Sequence, residues 1–201
     1  YMSVYMIGFG FRSGAQILLA RRNGEGRYSA IGSIMLQSTF FMILLAALLF
    51  GINDICAPWF LHWMISSEAI YSATIEFLDY RIFGLFFSFV AAMFRAFYVG
   101  ITQTRILTVN AVIMALANIA LNYMLVFGEF GCPEMGIAGA ALGSVLSEFI
   151  SVIFFMLYTG MKVDGEKYAF FNISGFDPKV IVRVLSVSIW TMIQFFLPII
   201  T

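Results

Sequence analysis

From position 106 to 128 the chain reads ILTVNAVIMALANIALNYMLVFG, without one charged side chain. Runs of similar length and low charge recur at 1–20, 29–50, 82–101 and 137–159, and another begins at 185 and reaches 201. A hydrocarbon layer about 30 Å thick is crossed by about 20 apolar residues in a helix. Inside it the backbone must satisfy its own hydrogen bonds, which leaves only helices and closed barrels. None of these runs alternates with a period of two, so helices are expected. The 201 residues are 62% hydrophobic and 11% charged, against about 45–50% and 25% in a soluble domain. The expected class is an all-α integral membrane protein, multi-pass, with five spans and the start of a sixth.

The chain opens inside one apolar run without an initiator Met and stops inside another, as expected of a piece of a longer chain. Arg12 interrupts the first run and no small-residue cleavage site follows, so a signal peptide is not expected there.

The loops fall into two alternating sets. One holds Arg21, Arg22, Arg27, Arg105, Lys162, Lys167, Lys179 and Arg183, whereas 51–80 and 128–136 hold no Lys or Arg. The positive-inside rule puts the first set in the cytoplasm. Arg95 fits that side, and Arg12 can reach it along its own stem. Arg81 is expected at the outer end of the third span, paired with Asp79 or Glu76. The outer loop 51–80 contains PWFLHWM, in which Trp59, Phe60 and Trp63 suit an interfacial belt and His62 is an interface residue. Cys56 and Cys132 fall on the same outer side, where a disulfide would persist, but nothing in the sequence sets their separation. In the connecting segment 160–185, FDPKVIVRVL is expected to open a short amphipathic surface helix, with Asp177 as N-cap and Pro178 at its first position.

Polar groups within the runs carry the functional signal. Ala111, Ala115, Asn118 and Asn122 fall on one narrow stripe of the fourth span, with Val112, Leu116 and Ile119 away from it. Ala141, Ser144, Glu148 and Ser151 form a similar stripe on the fifth. Glu148 stands midway along its helix, where a charge is costly and a protonated carboxyl is favoured. Buried polar groups in spans face a bundle interior or a wet cavity. The competing reading is hydrogen bonding between helices, worth about 0.6 kcal/mol on average. Gly139 and Gly143 have the spacing that lets two helices approach closely.

No phosphate loop, metal-ligand cluster, Cys/His pair or nucleophile elbow is present in the sequence, so neither an enzyme nor a metal centre is expected. The basic loops are too small and scattered for nucleic acid.

Three stretches together carry a family resemblance: GAQILLARRNGEGR, FRAFYVGITQTR and NIALNYMLVFGEFGCPEMGIAGAALGSVLSE. The chain resembles the multidrug and toxic compound extrusion (MATE) family. That implies a MATE-like helical bundle, a fragment of a twelve-helix, two-lobe fold. Residues 1–160 would be helices 2 to 6 of the N-terminal lobe. Residues 161–184 would be the cytoplasmic inter-lobe linker with its amphipathic helix, and 185–201 the start of the next transmembrane helix.

The resemblance also implies a secondary active exporter in the plasma membrane. It would move cationic or amphipathic organic compounds by alternating access, coupled to H⁺ or Na⁺ and without a cofactor, with the C-terminal lobe as partner. Helix 5 of the family often carries Asn and then Asp four residues later. Asn118 matches the first, while Asn122 stands at the second and cannot titrate. Ser144 falls where a Thr is usual, and Glu148 falls near a usual Gln, where it can supply the acid missing at 122. Ile106 and Leu107 depart from a common Thr-Pro. The expected substrate or ion-binding residues are therefore Asn118, Asn122, Ser144 and Glu148. A flippase for lipid-linked or polysaccharide precursors, from the same superfamily, would line its spans with more Arg and Lys. A non-transporting membrane subunit would use up the polar stripes in helix contacts. Substrate identity, the choice between Na⁺ and H⁺, and the oligomeric state are not legible in the sequence.

Overall fold

A computed structural model describes residues 2–65, 67–169 and 178–200, with side chains from 8 to 190 among them. The described residues form seven α-helices and one short 3-10 turn. They are α1 (Met2–Gly24), α2 (Tyr28–Met64), α3 (Glu68–Arg81), α4 (Gly84–Gly100), α5 (Arg105–Phe127), the 3-10 turn Glu129–Gly131, α6 (Gly136–Lys162) and α7 (Pro178–Ile200). Among the described residues, α2, α5 and α6 are each long and apolar enough to cross a membrane alone. The pair α3 and α4 passes the same test together, as one span bent by 46°.

The expected spans are all helical, but the outer segment differs from its expected form as a loop. Helix α2 continues to Met64, and α3 follows after a short break. Nothing before Met64 stops α2. Gly51 weakens a helix without ending it, and Pro58 lies inside it, removing only the hydrogen bond to the Asp54 carbonyl. At about 1.5 Å per residue its 37 residues extend about 55 Å. Trp59 and Trp63 on its last turns are 78% and 81% exposed, in keeping with the interfacial belt. The His62 ring meets Tyr71 of α3 edge-on, centroids 5.5 Å apart. Cys56 and Cys132 are both free thiols.

The connecting segment also differs. Helix α7 opens at Pro178 and runs unbroken past residue 185, so the surface helix and the following span are one element. The expected Asp177 cap lies outside the described residues.

The contacts divide the chain into two compact units. The first comprises Tyr1–Leu44, Phe89–Thr108 and Phe155–Thr201. Its core is aromatic: Phe155 stacks on Phe94 and Tyr98 at 5.5 and 5.7 Å, and Tyr168 meets Phe97 edge-on at 5.6 Å. The buried Tyr98 hydroxyl shares a 2.6 Å hydrogen bond with Thr159, which also donates to the Phe155 carbonyl at 2.7 Å. Helices α1 and α7 pack together where Gly14 lies against Val184 and Ser188. Ser188 donates to the Val184 carbonyl at 2.7 Å and reaches that of Phe11 at 3.4 Å. Gly32 donates its N–H to the Tyr168 carbonyl at 3.0 Å, and a β-carbon there would collide with that oxygen. In the loop after α1, Arg21 and Arg22 grip Glu25 at 2.9 and 2.6 Å. The hydrogen bond from Arg21, then that from Arg22, hold its carboxyl below the usual carboxylate range.

The second unit comprises Leu45–Ser88 and Val109–Phe154. Helix α5 ends at Gly128, whose φ of 70° is the left-handed conformation that favours glycine after a helix. The Met135 N–H then donates to the Leu125 carbonyl at 2.9 Å, starting α6 antiparallel to α5. Gly139 lies so close to that same carbonyl that any β-carbon would meet backbone. Overpacking against an unyielding neighbour costs about 1–3 kcal/mol. Gly139→Leu should therefore lower the melting temperature of the detergent-solubilised protein by several degrees. Gly160→Ala, at a helical position with open space around it, should leave the melting temperature unchanged or raise it.

Candidate functional site

The polar stripes of α5 and α6 meet in the second unit as a seam of amides and hydroxyls. The Asn118 amide N–H₂ donates to Ser147 at 3.1 Å and reaches Ser144 at 3.4 Å. Asn122 donates to the Asn118 carbonyl oxygen at 3.0 Å, joining the two across one helical turn. Further along, Asn110 donates to Ser151 at 2.8 Å, with both side chains fully buried. The serines in turn use i−3 and i−4 carbonyls of their own helix: Ser144 donates to Ala140 and Ser147 to Ser144. Each amide thus keeps a partner where water is scarce. Gly143 makes room, since a β-carbon there would strike the Asn122 carbonyl oxygen.

Three of the four expected site residues, Asn118, Asn122 and Ser144, therefore come together. Asn118 and Asn122 are half-buried rather than sealed, and Val112, Leu116 and Ile119 are exposed as a lipid face requires. The Asn118 amide N–H₂ is spent on the contact with α6, and that of Asn122 on Asn118 within α5. What stays uncommitted is oxygen: the Asn122 and Asn110 carbonyl oxygens are buried without a hydrogen-bond partner among the described residues.

Glu148, the fourth expected site residue, has a charged partner. It is not an isolated acid: its Oε1 accepts from Arg81 Nη2 at 2.7 Å, and both side chains are about 15% exposed. Arg81 is the last residue of α3, just before the 46° bend to α4, and the anion 2.7 Å from it belongs to α6, a partner beyond the expected Asp79 or Glu76. A buried arginine needs an anion beside it, and mid-α6 provides one. Gly84, one turn on, lies against both members of the pair. Its lack of a side chain lets α4 turn away from α3 over the ion pair.

Sequence reasoning missed Asn110 and Arg81. Asn110 lies eight residues before Asn118, close to two turns, and that spacing was an available signal. The Arg81–Glu148 contact joins residues 67 apart and had no local signal.

A bundle of membrane-length helices with amides and an ion pair among its spans is the architecture of a multi-pass membrane protein. The MatE family model matches residues 1–124, and the chain belongs to that family. It is 26% identical over 190 residues to the probable multidrug resistance protein NorM of Synechocystis, covering 92% of this chain and 40% of that protein. It is 29% identical over 137 residues to the protein of the same name from Thermotoga maritima, covering 68% of this chain and 30% of the relative. Among solved structures it resembles an inward-facing multidrug resistance MATE family transporter of the MOP superfamily. That match has TM-score 0.82 at 16% identity and covers 94% of this chain and 42% of the other, a likeness of fold. The chain thus spans 30–40% of the length of these curated relatives.

The ion pair makes a direct prediction. Removing one member of a buried pair costs about 3–5 kcal/mol, whereas replacing both with apolar groups is near neutral. Arg81→Met and Glu148→Leu should each lower the melting temperature sharply in detergent, and the double variant should recover most of the loss. Additive losses in that cycle would show that the two side chains do not act on each other.

Proposed function

We propose that this chain forms the first lobe of a secondary active exporter in the plasma membrane. It moves cationic or amphipathic organic compounds outward by alternating access while H⁺ or Na⁺ moves inward. Its partners are the bilayer, the small-molecule substrate and a second lobe. No bond is made or broken in the substrate, and no cofactor takes part. Family membership supports this reading, as do the relatives' names. The observation that carries it is the polar seam of Asn118, Asn122 and Ser144 between α5 and α6, which is half-buried and not sealed.

A flippase would need uncompensated cations along the spans to meet a phosphate-bearing substrate. Arg81 is balanced by Glu148, and the Arg12 guanidinium lies over the Phe9 ring at 5.0 Å. That balance favours the exporter.

In the full-length protein, Asn118→Leu and Asn122→Leu should abolish export of ethidium from cells while membrane expression persists. Asn122→Asp, which keeps the oxygen and restores a titratable group, should keep export and make it more pH-dependent. Wild-type export by Asn122→Leu would overturn the role of the seam. Reconstituted vesicles with Na⁺ and pH gradients imposed separately identify the coupling ion. Glu148→Gln should alter that ion dependence, and an unaltered profile would leave Glu148 as the structural partner of Arg81 alone.

A further inference from the structure

On the side of the basic loops, a cavity of about 320 Å³ opens in the first unit where the end of α1, the start of α2 and the start of α7 come together. That volume lies at the lower end of ligand pockets, headgroup-sized rather than drug-sized. Its polar lining comes from Arg22, Ser29, Ser33 and Arg183, and its apolar lining includes Leu18 and Ile34. Arg22 is the more buried arginine, its side chain 19% exposed and steadied from one side by Glu25. Arg183 reaches the cavity from α7. Ser29 and Ser33 are one turn apart and present their hydroxyls on one face of α2.

Ser33 is supported from behind. Gln37, 8% exposed, donates its amide to the Ser33 hydroxyl at 2.9 Å. Its own carbonyl oxygen is buried without a partner among the described residues. The Ser33 oxygen thus accepts from within the protein, which leaves its proton to donate elsewhere. Two guanidinium groups, which can only donate, and two hydroxyls free to donate suit an acceptor carrying negative charge. Glu25 offsets part of this charge, but the last turn of α1 and the loop after it carry three arginines, Arg21, Arg22 and Arg27, against that one acid. Basic pockets between membrane helices on the cytoplasmic side are suited to anionic headgroups, with the acyl chains left in the bilayer.

We propose that this cavity binds the phosphate of an anionic phospholipid headgroup from the cytoplasmic leaflet, joining the start of α7 to α1 and α2. The cavity lies at the helix ends, and its lining shares no residue with the seam of Asn118, Asn122 and Ser144. A bound headgroup would neutralise Arg22 and Arg183 together and hold α7 against its neighbours.

The test uses full-length protein in a neutral detergent, titrated with short-chain phosphatidylglycerol while its melting temperature is followed. Short-chain phosphatidylcholine and inorganic phosphate serve as separate arms. Phosphatidylglycerol should raise the melting temperature saturably, and neither comparison compound should match it. With about 1 kcal/mol per arginine near an anionic surface, Arg183→Gln should weaken the titration about fivefold and Arg22→Gln/Arg183→Gln by tenfold or more. Arg21→Gln, outside the cavity lining, should titrate as wild type. Should the double variant fold poorly, the exposed Arg183→Gln alone decides the matter. An equal response to phosphatidylcholine, an unchanged midpoint in Arg183→Gln, or a full shift from inorganic phosphate alone would overturn the lipid assignment. Ethidium export by the seam variants is read independently, so failure here leaves the exporter reading standing.

Discussion

In hydrocarbon a polar group without a partner costs more than it does in water, and the second unit is arranged around that cost. Asn110 and Asn118 on α5 answer Ser151 and Ser147 on α6 in antiparallel order, and Asn122 donates to the Asn118 oxygen on its own helix, so that each amide N–H₂ finds an oxygen. Gly139 and Gly143 bring the two backbones close enough for those short side chains to meet. Individually such hydrogen bonds contribute little, roughly 0.6 kcal/mol each. Their effect is on register, since sliding one helix by a residue would strand the Asn110 and Asn118 amides together. The ion pair between Arg81 and Glu148 fixes a third element, α3, by the same logic with full charges.

The family assignment and the seam bear on function in different ways. Membership places the chain among proteins built from paired lobes, of which it covers part. The seam is a matter of this chain's own residues. Where the resembling pattern has an acid on helix 5, this chain has Asn122, and its nearest acid on α6 is already matched by an arginine. The negative character available to a passing cation in this unit therefore resides mostly in amide oxygens, which no pH change in the physiological range can remove.

Much of this was legible in the sequence because membrane spans leave a strong local trace. The positions of α1, α5 and α6 follow from long apolar runs of low charge, and the pairing of Asn118 with α6 follows from two stripes with matching periods. The outer segment was not legible. Its acids, aromatics and proline look like a loop, yet none of them stops a helix, and α2 and α3 occupy almost all of it. Helix α3 ends at its edge, so the α6 partner of Arg81 was not legible either. Glu148 looked isolated because its counter-charge is 67 residues away and no periodicity links them. Asn110 was passed over because the eye stops at adjacent turns, although the packing it serves spans the whole helix.

The length of α2 has a geometric consequence. A rod of about 55 Å set in a slab about 30 Å thick cannot be hidden by leaning. At about 40°, the steepest inclination usual for such helices, the slab takes up only about 39 Å of it. Up to that inclination roughly three turns lie outside the oily layer, shared between the two ends of the helix. The far end carries Asp54, His62 and two exposed tryptophans, a surface at home among headgroups and water that an antibody fragment could grasp.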